Sequence, residues 1–341
     1  MMHEKGRKNS NDALVSVIIP TWNRKDDLRI ALASVFKQGG VKYEVIVVDN
    51  ASSDGTLQMV QNKFQEVILI ENERNLGTSL AKNQGFIHSK GDYCHFLDSD
   101  AELIDKLSLK TMVDLLAANP DIGCIGGEVY PNPNGTVEHK KKIITFNGET
   151  LTLSIEQSNY EMLNVGYLAT CNMMIPRELM ERCGGFDNFI TYAGEDKELG
   201  YKVNLYGYRN VVDSRCLAYH RFSKEGRASN FYLFHRNRIR FVVKNYPLLT
   251  IVCLPFLDFI AMFSLKRFQS IKMKEIDITR WQHKQKFDKI GIVQTFLSLV
   301  LGYAVSLILA YAWNLLHIPQ TVWLRFFKES YVEVLRRGDS T

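Results

Sequence analysis

The sequence predicts an α/β chain in which a mostly parallel sheet carries the chemistry and a helical region follows toward the C-terminus. Three observations predict this. Short apolar runs alternate with stretches of helical spacing through the first 125 residues. Three polar clusters, 21–24, 49–54 and 98–100, each stand directly after one of those runs. Beyond Pro247 the alternation gives way to long apolar segments.

Residues 15–20 are β-branched and apolar and end in Pro20, as a buried strand does. Residues 26–38 place Leu28, Ala31, Leu32, Val35 and Phe36 at helical spacing. Strands follow at 43–48, 67–70 and 93–97, with helices at 56–64 and 79–88 between them. A helix over 106–119 stops before Pro120 and leads to a strand at 122–125. Strands joined by such helices imply right-handed βαβ units and a parallel sheet. Ligands of such sheets bind beyond the carboxyl ends of the strands, where all three polar clusters fall. Residues 131–160 lack periodicity and read as a loop or hairpin region. Beyond them, 169–175 reads as a strand, 176–182 as a short helix opened by Pro176, and 196–206 as a helix. Strand-like stretches lie at 211–212 and 217–220.

The chain has 341 residues, 46% hydrophobic and 23% charged, which excludes general disorder and allows one large domain or two ordinary ones. Residues 248–265 are apolar except for Thr250, Asp258 and Ser264 and are interrupted by Pro255. They read as a re-entrant, interfacial or buried helix. Residues 290–316 carry no charge. As a helix they would span ~40 Å, more than the ~30 Å hydrocarbon core, so a transmembrane or deeply embedded helix is expected. Both flanks are basic, which leaves orientation open and favours a monotopic hairpin. Net charge is +5, yet residues 215–289 hold 16 Lys or Arg against 5 Asp or Glu. That bias points to anionic lipid or a phosphorylated substrate. No nucleic-acid module is recognisable, so nucleic acid is not an expected partner. Six scattered cysteines without a C-x-x-C pair argue against zinc and dithiol chemistry and fit a reducing compartment. The first 13 residues form a polar tail without an apolar core, so no signal peptide is expected and the N-terminal domain should stay in the cytoplasm.

Several constellations carry chemistry. Asp98 and Asp100 can face one hard cation together with a diphosphate, although such a tripeptide is usually a solvated turn. Asp49 can accept a nucleobase N–H or a ribose hydroxyl, while the run it opens can equally be an Asx-turn or a helix N-cap by Ser53 or Asp54. Glu195 and Asp196 open a helix. There a carboxylate either caps the N-terminus or serves as a general base. His220 is either structural or a partner to Asp100 on a metal ion. The run Phe231–Arg240 offers cations for a diphosphate, or snorkels at an interface.

In order, the motifs Val17-Ile18-Ile19-Pro20-Thr21-Trp22-Asn23-Arg24, Val47-Val48-Asp49-Asn50-Ala51-Ser52-Ser53-Asp54-Gly55, Asn75-Leu76-Gly77, Phe96-Leu97-Asp98-Ser99-Asp100, Gly184-Gly185-Phe186-Asp187 and Gly194-Glu195-Asp196 resemble the family 2 inverting glycosyltransferases. The resemblance runs from about residue 15 to 244, with a rhamnosyltransferase-like echo at Arg236-Asn237. It implies a GT-A type, Rossmann-like nucleotide-diphospho-sugar transferase domain over 14–245, followed by membrane-associated helices over 246–341. It implies that Pro20, Thr21, Asn23, Arg24, Asp49, Asn50, Lys82, Asp98 and Ser99 bind the donor. Asp100 and His220 would hold Mn2+ or Mg2+, Asp196 would be the catalytic base, and Glu195 would shape the acceptor pocket, which the 131–160 region would face. Arg236 and Asn237 would meet a polyprenyl-diphosphate-linked or other glycan acceptor. The expected partners are then a nucleotide-sugar, that acceptor and membrane lipid, at the cytoplasmic side of the cell membrane, in cell-surface polysaccharide or glycolipid assembly.

There are departures from the family pattern. Lys202 stands where an Arg is usual after Asp196. The stretch 277–281 only echoes Gln-x-x-Arg-Trp, which argues for single-sugar transfer over the alternative of a processive synthase. The other alternative, a non-catalytic nucleotide-binding membrane scaffold, has no need for both Glu195 and Asp196. A nucleotidyltransferase would want a Gly-rich loop after the first strand, and residues 20–24 contain no glycine.

Overall fold

The structure is a computed structural model and describes residues 7–130, 140–154, 162–191, 193–221, 231–262 and 289–327. The described chain divides into two compact units, 7–144 with 150–221 and 145–149 with 231–327.

The first unit opens with β1 (Leu14–Thr21), α1 (Lys25–Val35), β2 (Lys42–Asp49), α2 (Thr56–Lys63), β3 (Ile68–Glu71), α3 (Thr78–His88) and β4 (Tyr93–Leu97). β1 pairs in parallel with β2 and β4, and β2 with β3. Alternate side chains enter two cores. Val15, Val17 and Ile19 join Leu28, Leu32 and Val47 on one face, while Ile18 joins Ile46, Val48 and Phe86 on the other. Burial on both faces explains why these strands read as almost unbroken apolar runs. α3 lies close on the sheet, because a Cβ at Gly85 would stand 2.4 Å from Ile18 Cγ2. A methyl there would overpack the layer at a cost of about 1–3 kcal/mol.

The chain continues through β5 (Ala101–Leu103), α4 (Ser108–Ala118), β6 (Ile122–Tyr130), the hairpin strands β7 (Lys140–Ile144) and β8 (Thr150–Ser154), and β9 (Met162–Val165). It ends this unit with β10 (Asn172–Pro176), α5 (Arg177–Arg182), α6 (Glu195–Leu205) and β11 (Arg209–His220). The main sheet runs β3-β2-β1-β4-β10-β6-β11-β5, with β9 also on β11. The expected parallel sheet therefore holds for β1–β4 and for β6 with β11, and is corrected elsewhere. β10 is antiparallel to β4 and β6, and β5 and β9 are antiparallel to β11. No crossover helix was read between 125 and 169, so nothing compels β10 to run parallel. The two strand-like stretches at 211–212 and 217–220 are one strand with an irregularity between Asp213 and Ala218. The hairpin expected within 131–160 is present as β7 and β8; residues 131–139 and 155–161 lie outside the described residues.

The second unit holds α7 (Phe231–Asn245), α8 (Leu248–Met262), α9 (Lys289–Leu316) and α10 (Ile318–Phe327). Among the described residues no helix is long and apolar enough to cross a membrane, so the spanning helix expected over 290–316 is not supported. One side of α9 is packed and has polar partners. Its Tyr303, Leu307, Ala310 and Asn314 are buried. Asn314 Nδ2 donates to the Arg236 and Ala310 carbonyls, and the Tyr311 hydroxyl to Asp258. Asp258, the lone acid in the apolar run 248–265, is wholly buried against Arg238 at 2.5 Å. Arg325 Nη1 donates to the carbonyls of Val243 and Tyr246 at the end of α7, where a cation favours the helix dipole. The basic stretch 263–288, with the echo at 277–281, and the tail 328–341 lie outside the described residues.

A buried histidine links β4 to β10. His95 Nε2 lies 3.0 Å from Asn172 Oδ1, and Asn172 Nδ2 donates to the Cys216 carbonyl. Burial pushes the His95 ring down to about 4, with the Asn172 bond pulling the other way. The unfolded chain therefore binds more protons than the folded one between about pH 4 and 6.5, and stability falls as pH falls through that window, by on the order of 3 kcal/mol. Thermal unfolding of wild type and His95→Gln at pH 7 and pH 4.5 checks this. Wild type is expected to lose the larger part of its midpoint; equal losses would contradict the assignment.

Candidate active site

Beyond β4 the chain turns through residues 98–100, with Ala101 N donating to the Asp98 carbonyl at 2.9 Å. β5 then pairs antiparallel with the end of β11 and sets Ala101 opposite His220. Arg221 N donates to the Asp100 carbonyl at 2.7 Å. This register brings His220 Nε2 to 2.9 Å from Asp100 Oδ1 and 3.6 Å from Asp98 Oδ2. One ligand atom from each of the three residues lies within 4.8 Å of the others. Two carboxylates and an imidazole at this spacing suit a Mn2+-type cation. Burial alone would discharge His220, but its bonds to Asp100 and Asp98 and their charges outweigh burial and hold the ring up at about 9. The corner is therefore negative enough to retain a positive charge. Arg24 Nη1 stands 3.6 Å from Asp100 Oδ2 and 3.1 Å from Asp27. Ser99, between the two acids, is buried.

α6 begins after Gly194, whose φ of +104° is left-handed backbone that favours glycine. Its first turn carries Glu195, Asp196 and Glu198, which complement the positive end of the helix dipole. Glu195 is buried, and Lys82 from α3 reaches across to it. Lys82 Nζ lies 3.2 Å from Glu195 Oε1, 3.8 Å from Asp98 Oδ1 and 2.5 Å from Thr170 Oγ1. The Phe186 ring closes over the ammonium at 5.6 Å. Burial opposes the charge on Lys82, but Glu195 and Asp98 outweigh it and raise its pKa. Burial pushes the Glu195 carboxyl up, Lys82 pulls against that, and the neighbouring Asp196 charge adds to it. Asp196 itself is half-buried, and its Oδ1 accepts Lys197 N at 2.7 Å.

Thr21 stands opposite Asp49 in the parallel register of β1 and β2. Asp49 Oδ2 accepts Ser52 N at 2.9 Å and Oδ1 accepts the Ser52 hydroxyl at 2.5 Å, three residues on, and the Asx-turn of this run falls at Asp54, whose Oδ1 accepts Thr56 N at 3.1 Å. Thr21 Oγ1 is buried with no hydrogen-bond partner among the described residues. Asn23 Oδ1 accepts Ser53 N, and Asn23 N donates to Ser52, both at 2.8 Å; these bonds join the two loops. Asn50 Oδ1 accepts Asn72 Nδ2, and its Nδ2 donates to the Gly77 carbonyl, which shapes the entry to α3. Pro20 is buried within β1.

Lys82, Asp98, Asp100, Glu195, His220 and Arg24 thus form one linked cluster, and Thr21, Asn23, Asp49 and Asn50 a loop pair at the same carboxyl edge of the sheet. Arg236 and Asn237 lie in the helical unit. There Arg236 Nε and Nη2 donate to Asn237 Oδ1, and the guanidinium stacks over Trp313 at 4.8 Å. Lys202 reaches Glu198 at 3.5 Å and the Gly185 carbonyl at 3.3 Å. Sequence reasoning missed Tyr167 and Thr170; Thr170 falls at the start of the strand expected over 169–175, which begins instead at Asn172. It also passed over Trp22, although an aromatic 52% exposed beside Thr21 is a signal readable from its place in a polar cluster.

Residues 16–184 match the family model described as Glycosyl transferase family 2. Glycosyltransferase AglE of Haloferax volcanii is 30% identical over 191 residues, covering 53% of this chain and 58% of that protein. O-antigen biosynthesis protein RfbC of Myxococcus xanthus is 25% identical over 228 residues, covering 63% of this chain and 18% of that protein. The chain thus spans less than two thirds of the length of these curated relatives. The solved mannosyltransferase PcManGT from Pyrobaculum calidifontis, in complex with GDP-Man and Mn2+, has a TM-score of 0.52 at 19% identity and covers 92% of this chain and 91% of that one. This likeness, with the family match, shows an α/β fold of GT-A type.

Proposed function

The chain carries a Glycosyl transferase family 2 domain, and on that premise we propose that it moves one sugar from a nucleotide-sugar to a hydroxyl of a glycan acceptor, inverting the anomeric carbon. One observation carries this reading. Acids from the end of β4 and the start of α6 are drawn together by Lys82, with His220 beside them.

In this reading the nucleobase side of the donor lies against Thr21 and Asp49, with the flat face of Trp22 alongside. Arg24 meets the phosphates, and Asp98, with Lys82 buried behind it, meets the ribose. Asp98, Asp100 and His220 would hold Mn2+ or Mg2+, which supplies positive charge to the departing nucleoside diphosphate. Asp196, the more open member of the acid pair, takes the proton of the acceptor hydroxyl. The hydroxyl oxygen bonds to the anomeric carbon as the carbon–oxygen bond to the diphosphate breaks on the opposite face. Glu195, tied to Lys82, holds the helix start in place. Most of the acceleration comes from positioning and from charge laid out in advance.

We read the acceptor as lipid-linked, in cell-surface polysaccharide or glycolipid assembly, and the seat of the protein as the cytoplasmic face of a membrane. In the helical unit Leu249, Val252, Phe256, Ile308, Leu309 and Leu315 are exposed, which supports a lipid-facing surface. The excess of Lys and Arg over 215–289 supports an anionic one. The six free cysteines fit a reducing compartment.

Activity, metal binding and membrane flotation test this. A panel of UDP-hexoses, GDP-mannose and dTDP-rhamnose, incubated with Mn2+, is expected to reveal one donor that is hydrolysed slowly. Asp196→Asn should lower turnover about a hundredfold to ten-thousandfold with nucleotide still bound, and His220→Ala should weaken Mn2+ binding by about tenfold or more. Undiminished turnover in Asp196→Asn would contradict the assigned base. Flotation of the full chain with anionic vesicles should carry the protein upward, and Phe256→Asp combined with Ile308→Asp should leave it at the bottom. A wild-type chain that stays unbound would contradict the membrane seat.

A further inference from the structure

We propose that Lys142 on β7 makes the acceptor subsite selective for an anionic sugar, one bearing a carboxylate or a phosphate; this rests on the glycosyl transfer proposed above. The β7–β8 hairpin is clipped at two points to the loop beside the acid pair. Gly166 N donates to the Lys142 carbonyl at 2.7 Å, and the hydroxyls of Thr150 and Tyr167 meet at 2.9 Å. Tyr167 in turn packs against α6, where a Cβ at Gly200 would stand 2.4 Å from Tyr167 Cβ. Gly200 is four residues beyond Asp196, so the two share one face of that helix. Tyr167 is therefore set along the side of α6 that carries Asp196.

Lys142 sits on this tyrosine, its Nζ 5.1 Å from the ring centroid. The side chain is half-buried and makes no ion pair among the described residues. A cation–π contact holds an ammonium without consuming its donors, so its three N–H groups stay available to a ligand. The surroundings agree. Burial raises the Tyr167 phenol, and the charges of Asp196 and Glu195 add to that. Burial likewise raises the Cys171 thiol, with Asp98 adding to it and Lys142 and Lys82 opposing. Lys142 thus belongs to the same electrostatic neighbourhood as the catalytic acids.

Charge decides which acceptor needs this lysine. Lys82, Arg24 and His220 are already engaged with Asp98, Glu195 and Asp100, so the repulsion an anionic acceptor sugar meets on approach comes from Asp196, the more open acid. A fixed cation beside Asp196 offsets that repulsion locally and steers the anion to one side of the attacking hydroxyl. A neutral sugar gains nothing from it.

The test uses the full chain, Mn2+ and the nucleotide-sugar it hydrolyses, with glucose, glucose 6-phosphate and glucuronate added as acceptors or inhibitors. Wild type should respond to the two anionic sugars at concentrations about tenfold below glucose. Lys142→Gln should erase that advantage and Lys142→Arg should keep it. UDP-glucuronate and UDP-glucose, run as donors, separate the two possible sources of the anion. A change of donor preference in Lys142→Gln would overturn the acceptor-side assignment, as would equal responses to all three sugars in wild type. Absence of donor hydrolysis by wild type would instead overturn the glycosyl-transfer reading beneath it.

Discussion

The Lys82 ammonium is wholly buried, and its position sets the geometry of everything around it. It reaches Thr170, Glu195 and Asp98 at once, and so ties α3, the β4 edge, the 166–171 loop and the start of α6 to one point. Without it, two carboxylates would face each other in a region poor in water. Removing one partner from a buried pair of this kind costs about 3–5 kcal/mol, because the remaining charge is left uncompensated. Glu195 and Asp98 can stand close together because this one cation is held between them, on the helix that presses on the sheet at Gly85.

A second constraint is the direction of two strands. β10 and β5 run against the parallel strands beside or near them, and each delivers something to the rim. β10 follows the loop that carries Tyr167, Thr170 and Cys171. β5 turns the chain back after Asp100 so that β11 can present His220 to both acids. In an all-parallel sheet β5 would not follow the 98–100 turn so closely, and the His220 register would be lost. The three-residue strand β5 thus does more for the site than its length suggests.

Much of this was legible in the chain. The runs at 15–20, 43–48 and 93–97 alternate between two buried faces, and double burial makes a strand readable. The polar clusters after them became the site loops, because carboxyl ends of strands are where backbone turns outward. Other features left no local trace. The direction of β10 depends on how a long hairpin region returns to the sheet. The resemblance alone marks Lys82 for the donor; its burial and its bond to Glu195 are set by Phe186 and Glu195, both over a hundred residues away. Residues 290–316 read as membrane-embedded because apolar length is visible in a sequence, whereas the partners of Tyr303, Tyr311 and Asn314 are not.

The most direct measurement compares wild type, Lys82→Met, Lys82→Arg and Lys82→Met with Glu195→Gln, by unfolding midpoint and by affinity for a nucleoside diphosphate with Mn2+. If Lys82 holds the acids together, Lys82→Met lowers both, Lys82→Arg retains part of each, and the double variant recovers stability without recovering affinity. A Lys82→Met chain as stable as wild type and binding nucleotide as tightly would contradict the account at its centre.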